Sequence, residues 1–167
     1  MSDRFPAEIT IGGNILRRLL DELAGMIASE GVSLDWQYAL DQAGVRAAIE
    51  MAAAKSETVR FTDDEACYGQ FDDLENWLTS HGIDFDRHGD ARYEYDGENA
   101  YGRGRKRPVI VNADQSGKDL VSAEEIRKVL ASQAQADQKL AQIAKLVDVP
   151  PALTPIVLTD RKGKKHD

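Results

Sequence analysis

The spacing of apolar residues changes several times along this chain, and each change predicts an element. Ala7 to Ile11 alternates apolar and polar side chains, the period of a half-buried strand. Gly12-Gly13 turns the chain, and Asn14 is placed to cap a helix. Ile15, Leu16, Leu19, Leu20, Leu23, Met26 and Ile27 recur at helical spacing, which predicts an amphipathic helix over 15–30 that stops at Gly31. A second helix is predicted over 40–54, where Leu40, Val45, Ile49 and a run of alanines fall, with Gly44 weakening it.

Thr58–Phe61 reads as a short strand, and Thr62 with Glu65 matches a capping box that opens a helical turn. Phe71, Leu74, Trp77, Leu78 and His81 line one face of a further helix, closed by Gly82. Ile83–His88 and Arg92–Glu98 alternate on either side of Gly89-Asp90, a hairpin signal, and Arg107–Asn112 reads as another strand. Ser122 with Glu125 forms a capping box, Val121 with Ile126 a hydrophobic staple, and one helix is predicted over 122–147, ended by Pro150-Pro151.

Strands joined by hairpins and interleaved with helices predict an α+β fold: a mostly antiparallel sheet, helices packed on one face, and a long C-terminal helix. The organisation read from the chain is an α+β domain over 1–115 carrying an acidic 57–98 segment, the helix over 116–149, and a Pro-containing basic tail, 150–167, expected to be flexible. The polar middle of the long helix, Ser132 to Asp137, leaves only its ends able to pack, so pairing with a second copy is considered.

The hairpin has a consequence for charge. With a three-residue Gly89-Asp90-Ala91 loop, Phe85 faces Tyr95 on the core side, Asp86 faces Glu94, and Asp84 faces Asp96. Like charges directly opposite cost ~0.2–1 kcal/mol per pair, so stability alone would not select this arrangement. The pattern fits a wider bias. Residues 57–98 hold thirteen acids against Arg60, Arg87 and Arg92, residues 1–56 are mildly acidic, and residues 99–167 are net basic, within a total of −8. Such asymmetry bears on partner choice rather than on fold.

Other chemistry is less well supported. Cys67 is expected to be a small buried hydrophobe, and one cysteine excludes an internal disulfide. His81, Asp84, Asp86 and His88 match no metal-binding spacing, and adjacent same-face strand residues lie nearly ~7 Å apart. No metal, cofactor or catalytic residue is therefore assigned. A solvated acidic face is the wrong setting for a carboxylate pair with one raised pKa. Ile11 to Asn14 lacks the remaining glycines and lysine of a phosphate-binding loop. No apolar run reaches the ~18 residues of a membrane span, and MSDRFPAEI lacks the layout of a signal peptide, so a cytoplasmic protein is expected.

Tyr68-Gly69-Gln70-Phe71, Leu74-Glu75, Leu78, Gly82-Ile83, Phe85-Asp86-Arg87 and Tyr93-Glu94-Tyr95-Asp96 resemble, in their hydrophobic and acidic positions, small acidic accessory proteins of phages and plasmids. Some of these, including anti-CRISPRs, act as DNA mimics. The resemblance covers about 30 residues as a pattern and implies a non-enzymatic inhibitor in a bacterial host cytoplasm.

The resulting expectation is an acidic surface built from Asp63, Asp64, Glu65, Asp72, Asp73, Glu75, Asp84, Asp86, Glu94, Asp96 and Glu98. It would occupy a basic nucleic-acid-binding surface of a host defence complex, possible targets including a CRISPR effector. The alternative is a nucleic-acid-associated accessory protein that binds through Arg103, Arg105, Lys106 and Arg107 and self-associates through the C-terminal helix.

Overall fold

A computed structural model describes residues 3–91, 96–146 and 148–160. Its centre is a five-stranded sheet in the order β3-β1-β4-β5-β6, with every neighbour antiparallel. The strands are β1 (Arg4–Gly12), β3 (Val59–Cys67), β4 (Asp84–Gly89), β5 (Gly97–Gly102) and β6 (Val109–Ala113). Three helices, α1 (Leu20–Ser29), α2 (Gln42–Lys55) and α3 (Asp72–His81), join one sheet face in a single core. The α+β expectation, an antiparallel sheet with helices on one face, therefore holds.

Strand alternation explains which side is dry. Ala7, Ile9 and Ile11 of β1, Phe61 of β3, Phe85 of β4 and Ala100 of β5 all point into the core, with Leu23, Ile27, Val45, Ile49, Leu74 and Leu78 facing them from the helices. Gly102 lies opposite Phe85 in the register, and a Cβ there would fall 2.2 Å from the Phe85 ring. Only glycine lets that ring lie flat across the neighbouring strand.

The first helix begins later than its apolar spacing predicts. Residues Asn14–Leu16 form a short strand, β2, paired in parallel with β7 (Val157–Thr159). Asn14 is thus a strand residue rather than a helix cap, and a 3-10 turn, Arg17–Leu19, leads into α1. The partner strand lies some 140 residues away in sequence, beyond the reach of local periodicity.

That pairing also corrects the flexible tail. Gly13 donates to the Thr154 carbonyl, Ile156 donates to that of Glu57, and Val157 donates to that of Gly13. Ile156 is buried in the core. The region after Pro151 thus returns to the body of the domain, whereas residues 161–167 of the predicted tail lie outside the described residues.

Thr62–Glu65 is not a helical turn. The Thr62 hydroxyl faces that of Ser33 at 3.0 Å, and the two residues exchange main-chain hydrogen bonds across a bridge. The capping side chain is engaged elsewhere, and β3 continues to Cys67. Cys67 is exposed rather than buried, because Ala66 takes the inward position at the end of the strand.

The long C-terminal helix is two helices, α4 (Ala123–Ala131) and α5 (Ala136–Leu146), which pack on each other. Ser132 leaves helical geometry with ψ 156° and its hydroxyl bonds the Val129 carbonyl. The stretch from Ser132 to Gln135 offers no large apolar side chain to pay for a continuous helix, and serine competes for backbone groups. The Ser122 cap is present, accepting from the Glu124 and Glu125 N–H groups.

Candidate acidic interface

The predicted hairpin register does not form. β4 pairs with Gly97–Gly102, so Asp86 faces Tyr101, His88 faces Asn99 and Phe85 faces Gly102. The expected Asp86–Glu94 and Asp84–Asp96 pairs are therefore absent from the β4–β5 ladder. The strand begins at Gly97, one residue after Asp96, and Gly102 supplies the gap that Phe85 needs. Glu94, with the rest of 92–95, lies outside the described residues.

The predicted acids fall into separate settings. Glu75 and Glu98 flank Arg87, whose side chain is only 2% exposed. Arg87 Nε lies 2.8 Å from Glu75 Oε1, and its Nη2 donates to Glu98 Oε1 at 2.5 Å. Gln70 also donates to Glu98. The alternation that put Phe85 on the core face puts Arg87 there too, and the two carboxylates are what make its burial tolerable.

Asp84 and Asp86 alternate with Phe85 and Arg87 and so lie on the sheet face opposite that core. Asp84 accepts from the Gly104 N–H at 2.7 Å, and Asp86 pairs with Arg103 at 2.7 Å. Arg103 also donates to the Phe85 and Pro151 carbonyls. Of the predicted basic cluster, this arginine is therefore committed inside the protein. Arg105, Lys106 and Arg107 are exposed.

The same sheet face carries a polar network. Asn99, 4% exposed, donates to the Gly117 carbonyl and to Asp119, each at 2.8 Å, while its Oδ1 meets His88 Nδ1 at 2.7 Å. His88 Nε2 lies 3.1 Å from Asp90. Tyr101 donates to Asp119, and burial, followed by that carboxylate, pushes its phenol up to about 12. These bonds tie the 114–119 turn onto the sheet. His81, by contrast, stacks on Trp77 with ring centroids 4.0 Å apart.

The remaining acids meet at the other edge. Asp63, Asp64 and Glu65 lie on edge strand β3. Asp64 and Glu65 fall at a bulge, two residues opposite the single Pro6, between the Phe5–Ala66 and Ala7–Asp63 pairs. Proline has no N–H to offer the ladder, and a bulge there re-aims the side chains.

Asp72 and Asp73 open α3, where the helix dipole favours anions. Trp77 of α3 donates to Glu22 of α1 at 2.9 Å, and the two helices bring the end of α1 toward the start of α3. Glu30, just past α1, is the acid that the sequence reading missed. Burial pushes its carboxyl up, and Asp73, Asp63, Asp72 and Glu75 push it further. Burial also raises Asp63, with Asp64 and Glu65 adding and the Glu65 N–H and Arg4 opposing.

Nothing in the spacing of Glu30 distinguishes it from an ordinary solvent-facing helix end. Its place beside these acids follows from the way the end of α1 meets the start of α3. Among the described residues, no three or more His, Cys, Asp or Glu side chains are placed to hold a metal ion, so these carboxylates share a field without forming a chelate. Among the described residues no helix is long and apolar enough to cross a membrane. No family model, curated protein or solved structure matches this chain.

Proposed function

We propose that this chain is a non-enzymatic binding protein whose β3–α3 edge covers a cationic, nucleic-acid-binding surface of another protein, with a host defence complex such as a CRISPR effector as the target class. The observation that supports the reading is the convergence of Glu30, Asp63, Asp72 and Asp73 from three separate elements, close enough to raise the Glu30 carboxyl. Anions gathered this way repel one another, and a cationic partner relieves that repulsion. Asp64 and Glu65 extend the patch along the exposed strand edge.

The patch replaces the two-stranded ribbon expected from sequence. Glu75, Glu98, Asp84 and Asp86 support it from within the domain by organising Arg87, the Gly104 loop and Arg103. Encounter with the partner is fast and falls with added salt, since charge complementarity acts mainly on association.

The test compares wild type with an Asp63→Lys, Asp64→Lys, Asp72→Lys, Asp73→Lys variant as bait in lysate of a bacterial host that carries a CRISPR system. Expected is capture of a basic nucleic-acid-binding protein by wild type at low salt, its release by added DNA, and no capture by the variant at an unchanged circular dichroism spectrum. Equal capture by a folded variant overturns the reading.

A further inference from the structure

We propose that the outer edge of β6 takes up an extended peptide strand from a partner protein, with the acidic C-terminal end of that strand held by Lys106 and Arg107. This surface lies at the opposite edge of the sheet from the acidic patch, and the inference does not depend on the function proposed above.

The edge is open in a defined place. Asn112 accepts from Leu120, and Asp114 donates to Lys118, so the main-chain groups of these two residues face away from β5. Main-chain groups alternate along a strand, which points those of Ile110 the same way. Among the described residues no hydrogen bond reaches the Ile110 N–H or C=O. Pro108, without an N–H, bounds the opening on one side, and Leu120 bounds it on the other.

The surroundings suit an incoming strand. Val109, Ile110 and Leu120 are exposed, at 38%, 49% and 44%. They border a groove of about 310 Å³ that continues toward the helical pair and is mainly polar there, with Glu125, Lys145 and Asp148 beside Val121 and Leu146. Natural edges are usually guarded by charge, short length or cover, whereas here the exposed side chains of Val109, Ile110 and Leu120 stand beside a free main chain.

Charge complementarity sets the occupant's chemistry and direction. Lys106 and Arg107 are exposed and, among the described residues, form no ion pair or hydrogen bond, whereas Arg103 is paired and the Arg105 side chain lies against Gly82 at the end of α3. Lys106 and Arg107 precede β6. In an antiparallel addition, the pairing used throughout this sheet, the C-terminal end of the incoming strand lies beside them. The occupant is thus an alternating apolar segment followed by acids. A nucleic acid would leave Ile110 and the groove unused, and it would meet Asp84, Asp86 and Asp119 on the adjoining sheet face.

The experiment measures fluorescence anisotropy of a labelled peptide, alternating Val and Thr and ending in Glu-Asp-Glu, titrated with the full chain. Expected is saturable, salt-sensitive binding that weakens about tenfold with Ile110→Pro, which removes the outward N–H together with the isoleucine side chain, and by at least as much with Lys106→Glu, Arg107→Glu. A peptide with its alternate amides N-methylated, or with the acids moved to its N-terminal end, binds at least tenfold more weakly, and it reads the same bonds should Ile110→Pro disturb the fold. No saturable binding, or equal binding of the N-methylated peptide, overturns the proposal. So does equal affinity for a DNA or RNA oligonucleotide, or a dimer by light scattering that Ile110→Pro dissolves.

Discussion

Around Arg87, two carboxylates converge on one buried guanidinium; where β3 meets α3, carboxylates from three elements converge on one another. Both groups come from the same acid-rich stretch of sequence, Glu30 excepted. What separates them is alternation along β4. The residue that follows Phe85 by two positions is forced inward, and because it is an arginine, nearby acids become structural. The cation at the β3–α3 edge, Arg4, is exposed rather than buried, and Asp64, Glu65, Asp72 and Asp73 stay at the surface with it. Acidic composition thus says little about an acid's role until the position of the nearest buried cation is known.

The largest expected effect breaks the first region. Arg87→Met preserves much of the side-chain volume but leaves Glu75, which is 13% exposed, and Glu98 facing each other without a cation. Removing one partner of a buried ionic group costs roughly 3–5 kcal/mol. Urea denaturation should show a loss of that size, partly recovered in Arg87→Met combined with Glu75→Gln and Glu98→Gln. A loss below about 1 kcal/mol, the value of a surface pair, would remove the distinction between the two regions.

The smaller change Glu75→Gln keeps the shape and the acceptor for the Phe71 N–H but removes one charge beside Arg87. Glu98 still neutralises the guanidinium, so the expected loss is about 1–3 kcal/mol. At the other region, Asp72→Asn with Asp73→Asn should change stability by less than about 0.5 kcal/mol, because the lost helix-dipole attraction offsets the relieved repulsion. The same pair of changes should weaken partner capture, which separates a binding surface from a structural one.

Much of the fold was legible because local pattern and tertiary context agree. The strands around Ile9, Phe85 and Val111 and the helices through Leu23, Ile49 and Leu78 each show one period over their length. Misreadings came where a distant partner competed. Ser33 claimed the Thr62 hydroxyl that looked like a helix cap, and Val157–Thr159 claimed the Asn14–Leu16 stretch that looked like a helix start. The hairpin partner was displaced to a strand whose Gly102, which alternation does not single out, leaves room for the Phe85 ring. For the candidate site, Asp63 to Asp73 were visible as a charged run. Glu30 was not, because only the approach of α1 to α3 brings it there.

The smallest effect concerns pH and tests whether the edge acids share a field. Burial and neighbouring acids raise the Glu30 carboxyl above its ordinary value, so the folded chain binds that proton more tightly than the unfolded chain does. The linked stability is present below the ordinary glutamate range and is lost as pH rises through the raised folded value. At neutral pH Glu30 is therefore a net cost, modest because the group is half-exposed and screened, roughly half a kcal/mol or less. Glu30→Gln should be slightly more stable than wild type at neutral pH, and the advantage should shrink as the solution is acidified toward the raised value. It should also shrink in the Asp72→Asn, Asp73→Asn background, since those charges are part of what raises Glu30. An advantage of Glu30→Gln that is independent of pH and of both aspartates would mean that these carboxylates do not share a field, and the β3–α3 edge would no longer count as one surface.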